Sequence, residues 1–65
     1  MKLNQKEVFK ELVLGNTVVL MTSDHKEDCR YKFIDEVLYK SNSSHSEYHL
    51  AYEVPEEGEY KVIIH

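Results

Sequence analysis

Apolar residues near the start of the chain recur at helical spacing. Val8, Phe9, Leu12 and Val13 fall on one side, with Lys6, Lys10 and Glu11 on the others. Asn4 stands where an N-cap would, and Glu7 follows three residues later, as a capping box requires. Leu3 and Val8 are spaced for a hydrophobic staple across that cap. Gly15-Asn16 supplies a C-terminal stop. The pattern predicts a helix over residues 5–14.

The rest of the chain reads as strands. Residues 17–22 are β-rich and apolar on both faces, which suits a central strand or one covered by the helix. Residues 23–28 are polar and read as a loop. Residues 30–34 alternate, with Tyr31 and Phe33 on one face and Arg30 and Lys32 on the other. Asp35-Glu36 is a tight turn without the Asn-Gly or Asp-Gly signature of a favoured hairpin. Residues 37–40 return as a further strand, and residues 41–46 form a polar connection. Residues 47–54 show the clearest alternation: Tyr48, Leu50, Tyr52 and Val54 against His49, Ala51 and Glu53. A turn over residues 55–58 leads to a last strand over 59–64. The expectation is an α+β domain with one N-terminal helix packed on an antiparallel meander sheet of four to five strands.

Length and composition narrow this picture. The 65 residues make one domain, 1–65, with a thin core. Chains of this size often lean on disulfides, metals or a partner subunit. The single cysteine, Cys29, excludes an internal disulfide and fits a reducing, cytoplasmic setting. A homo-oligomer is therefore expected. The longest apolar run, residues 18–21, is far short of a membrane span, and the N-terminus has no signal-peptide pattern. The formal net charge of -4 argues against direct nucleic-acid binding, where phosphate contacts call for a basic excess.

Catalytic and metal chemistry find little support. His45 and His49 are four apart, but in a loop and strand rather than on a helix; Cys29 and His25 are also four apart. A zinc site needs three or four convergent ligands, so no metal and no cofactor is expected. Nothing around Cys29 activates a thiol, and Asp35 and Glu36 read as solvated turn carboxylates. Gly15 and Gly58 close a helix and a turn, so no phosphate-cradling loop is present. No catalytic residue is assigned, and the chain is not expected to be an enzyme.

Two features remain as binding candidates. The first is the tyrosine set Tyr31, Tyr39, Tyr48, Tyr52 and Tyr60, which combine large area with a polar tip. Strand aromatics of a small sheet are the plainer explanation for each. The candidate ligand-binding residues are Arg30, Tyr31, Lys32, Tyr39, Tyr48, His49 and Tyr52; Lys40 lies in the same strands. The second is the acidic stretch Glu53, Glu56, Glu57 and Glu59, which could imitate nucleic-acid phosphates or simply be a solvated turn that blocks edge pairing.

The segments FKELVLGNTVVL, YKFIDEVLYKSN and EYKVII together resemble the layout of small accessory proteins of tailed phages and prophages. The layout is similar to that of the Thoeris anti-defence sponges, which sequester nucleotide immune signals. The segment VVLMTSD, residues 18–24, is similar to a strand of the phage uracil-DNA glycosylase inhibitor, a DNA mimic. The first resemblance implies a non-enzymatic protein that sequesters a nucleotide-like small molecule or a host factor, with sites at subunit boundaries. The second implies an acidic inhibitor of a host nucleic-acid enzyme.

Overall fold

A computed structural model of the chain describes residues 1–42 and 47–65. Among them, helix α1 (Gln5–Val13) lies against a sheet of six strands. The strands are β1 (Lys2–Asn4), β2 (Thr17–Met21), β3 (Glu27–Ile34), β4 (Val37–Asn42), β5 (His49–Leu50) and β6 (Glu57–Ile63). They lie in the order β1-β6-β2-β3-β4-β5, and every pairing is antiparallel. Among the described residues no helix is long and apolar enough to cross a membrane.

The helix ends follow from their residues. The Asn4 side chain accepts from the Glu7 amide at 2.9 Å, and the Asn4 amide donates to the Glu7 carboxylate at 3.0 Å. A cap of this kind stabilises a helix by about 1 kcal/mol. At the other end Gly15 takes φ +90, in the left-handed region. Its N–H donates to Leu12 O at 3.0 Å, and the Asn16 N–H donates to Glu11 O at 3.2 Å. This pair of bonds is a Schellman motif. Helix residues Val8 and Leu12 are fully buried with Leu3, Val18, Cys29, Tyr31, Val54 and Tyr60. Burial of each such aliphatic side chain is worth about 1.5–3 kcal/mol.

The α+β class and antiparallel pairing agree with the sequence pattern, but the strands differ from it in three ways. A sixth strand appears because residues 2–4, which lead into the helix, pair with β6, with Leu3 opposite Gly58. β3 begins at Glu27 rather than at residue 30, and β4 runs on to Asn42. Asp28 and Asn42 face solvent and Ser41 is buried, while the backbone continues the ladder.

The third difference matters most for function. Of the expected strand over 47–54, only His49–Leu50 pairs, and the chain then leaves the sheet. Residues 51–56 cross on the helix side, where Ala51 and Val54 join the core. Gln5 holds the crossing: its amide donates to Glu56 O at 3.1 Å, and its side chain donates to Val54 O at 2.7 Å. The crossing carries β6 back past β5, β4 and β3 to pair with β2, so only β2 to β5 form a meander. Val54 is buried while Tyr52 is 91% exposed. The two therefore do not share a face, as strict alternation would have required.

Candidate functional site

Directly paired residues of neighbouring strands share a face of the sheet. One face carries Cys29, Tyr31 and Tyr60 under the helix. The register sets Lys32 beside Tyr39 and Tyr39 beside Leu50 on the opposite face. A second row on that face runs Lys61, Val19, Arg30 and Ser41, of which Val19 and Ser41 are buried, so this part of the face is closed and the open part is the Lys32, Tyr39 and Leu50 end. Among the described residues no helix or second sheet covers it.

This open face gathers most of the candidate residues. Arg30, Lys32 and Tyr39 stand on it. Tyr48 reaches it from the approach to β5, with the Lys32 ammonium 4.2 Å from its ring centroid. Such a contact is worth roughly 0.5–1 kcal/mol when exposed. Tyr52 lies just past β5, in the segment that leaves the sheet, and stands in solvent. Arg30 is held bidentately by Glu27, Nε to Oε2 at 2.6 Å and Nη2 to Oε1 at 3.0 Å. That carboxylate raises the Arg30 pKa and orients the guanidinium along the strand.

Two further candidates lie off this face. Tyr31 is only 4% exposed, because the alternation that turns Arg30 and Lys32 outward turns it under the helix. There it shares a side-chain hydrogen bond with Cys29, and burial raises both their pKa values. It is a core residue rather than a surface ligand contact. His49 is exposed but pairs with Lys40 on the helix-side face, at the sheet's edge. The open face also presents residues that were not candidates: Leu50 at 51% exposure, Val37 at 41% and Ile34 at 36%. Leu50 shares the alternation of Tyr48, which was its one signal. Ile34 continues the alternation of Arg30 and Lys32, and the register sets Val37 beside it at the hairpin tip.

The acidic stretch is partly neutralised. Glu57 lies 3.4 Å from Lys2 across the β1–β6 pair, and Glu59 meets the Met1 amino group. That ammonium lowers the Glu59 pKa. Glu53 and Glu56 remain exposed. Among the described residues no three metal-ligating side chains converge and no cavity is enclosed. His25 sits in the β2–β3 loop, and His65 Nε2 lies 2.7 Å from Thr17 Oγ1. His45 lies outside the described residues. No family model, curated protein or solved structure matches the chain.

Proposed function

We propose that this chain is a non-enzymatic binding protein that captures a host protein stoichiometrically, as a phage accessory protein would, through the open face of its sheet. One observation carries the reading. Lys32, Tyr39, Tyr48 and Leu50 cluster on a face that carries no second layer among the described residues, and Tyr52, two residues past Leu50, is 91% exposed. Tyrosines flanked by aliphatic and cationic groups are the side chains that most often anchor protein interfaces. A nucleotide-like ligand would need walls, and the described residues enclose no cavity, so a partner with its own surface is favoured. Lys32 and Lys61 on this face suit a partner with an acidic rim around an apolar centre.

The test is retention from host lysate on immobilised protein. Wild type and Val13→Ser, altered on the helix side, should retain the same discrete partner in equal amount. Tyr52→Ala and Leu50→Ser should each weaken retention by roughly tenfold or more. Equal retention by all four proteins, or by none, overturns the reading.

A further inference from the structure

We infer that the open face takes an acidic amphipathic helix of its partner as an added layer, laid along β3, β4 and β5. The inference rests on the function proposed above and names the partner's chemistry. Three observations select the shape of the occupant. The two edges of the sheet, β1 and β5, are three and two residues long, so an added strand has almost no ladder to join. The described residues enclose no cavity, so a small ligand or a single anchoring side chain has no socket. A flat sheet face is otherwise buried by laying another element over it, and the opposite face of this sheet already carries a helix, α1. β3, β4 and β5 together span about 10 Å, the width of one helix. Ile34 and Val37 form one exposed row across β3 and β4, and Tyr39 and Leu50 continue the next row across β4 and β5. The rows lie about 7 Å apart along the strands, so an apolar stripe at i, i+3, i+4 and i+7 can meet both.

Charge selects the chemistry of the occupant. Neither of these rows contains a carboxylate. Lys32 begins the Tyr39–Leu50 row, with its ammonium over the Tyr48 ring, and Lys61 stands exposed in the neighbouring row. Neither lysine enters an ion pair among the described residues. The carboxylates of Glu27, Glu57 and Glu59 are already held, by Arg30, Lys2 and the Met1 amino group. A chain of net charge -4 therefore presents two ammonium groups without a counter-charge on its open face. Carboxylates of a partner complement them. Asp35 and Glu36 stand exposed at the hairpin tip, beyond Ile34 and Val37, and Asp28 at the other end of β3. A docked helix that starts over the tip meets Asp35 and Glu36 with the positive end of its dipole. Its own acidic side chains, further along, then reach Lys32 and Lys61.

The probe is a synthetic helical peptide of about 14 residues, roughly 20 Å long, with leucines at i, i+3, i+4 and i+7, glutamates beside them and alanines elsewhere. A control peptide carries lysine in place of each glutamate. Titration of the intact chain, followed by NMR of its backbone amides, reads affinity and location together. The patch is smaller than the roughly 800 Å² per partner of a standard interface, so the acidic peptide should dissociate on the order of 100 µM. Its shifts should centre on residues 32–39 and Leu50, and the lysine peptide should bind at least about tenfold more weakly. Lys32→Glu should weaken the acidic peptide by roughly fivefold to tenfold and abolish the preference between the two. Leu50→Ser should weaken both peptides, and Val13→Ser neither. No saturation by the acidic peptide below about 1 mM overturns the inference. Equal binding of the two peptides, or shifts centred on α1, also overturns it. If Leu50→Ser fails to fold, Lys32→Glu and the paired peptides still decide. A host protein retained through this face that excess acidic peptide does not displace overturns the helix and leaves the proposed function standing. Peptide binding as described, with no host protein retained, removes that function and leaves the acidic-helix surface standing.

Discussion

The Tyr60 hydroxyl is fully buried and has no hydrogen-bond partner among the described residues. Its ring lies over Gly58, where an added Cβ would come within 2.9 Å of Leu20 Cδ1 and 3.1 Å of Tyr60 Cε2. Glycine there is a packing requirement, and the tyrosine is held for its ring rather than its oxygen. An unpaired buried hydroxyl costs about 1–3 kcal/mol, so removing it relieves a penalty. Tyr60→Phe should leave stability unchanged or raise it by about 1 kcal/mol in urea unfolding. A loss larger than that would place a bound water on the hydroxyl. Tyr60 illustrates why tyrosine alone is an ambiguous signal in a sequence. The same residue type fills the core at Tyr31 and Tyr60 and stands in solvent at Tyr52.

At the scale of elements, the β3–β4 hairpin is the one built against its residues. Asp35 and Glu36 take φ +52 and +66, the pair of left-handed conformations of a type I′ turn. Neither is glycine, so the turn stores strain that the six paired positions of β3 and β4 override. The β2–β3 loop makes a smaller concession, with His25 at φ +62 inside a turn closed by Thr22 and Lys26. Relief of about 1–2 kcal/mol of left-handed strain outweighs about 0.4–1 kcal/mol of added unfolded-chain entropy, so Glu36→Gly should raise stability by up to about 1 kcal/mol, a few degrees in Tm for a domain this small. Thermal unfolding checks it, and a lowered Tm would mean that the Glu36 side chain makes a stabilising contact. The helix shows the opposite relation. Asn4, Glu7 and Gly15 each hold the place that their chemistry favours, which is why its limits could be read within one residue.

For the whole molecule, the shared core sets the response to pH. Burial is the largest cause raising the pKa of Cys29 from 9.0, and of Tyr31 and Tyr60 from 10.0. The folded state therefore keeps protons that the unfolded chain releases. This contribution is fully present below about pH 9 and is lost as the pH climbs through the unfolded values and beyond. The urea midpoint should hold steady from neutral pH to about pH 9 and fall steadily above it. Tyr60→Phe should blunt the fall. A midpoint unchanged at pH 11 would mean that these groups titrate in the folded core, which their burial opposes.

Local chemistry sufficed for the helix, its caps, the α+β class, and the division of Arg30 and Lys32 from Tyr31 and Phe33. Each depends on neighbours within a few residues, and period and capping residues report such neighbours directly. Tertiary structure alone decided the rest. Whether residues 47–54 formed one strand turned on Gln5, nearly fifty positions away, which draws the chain across the helix side at Val54 and Glu56. Alternation records that side chains point two ways, but not what lies on either side. Only the register shows that Lys32, Tyr39 and Leu50 share a face and that Tyr48 closes over Lys32. The open surface is a product of strand order, and strand order is a long-range property that no local pattern carries.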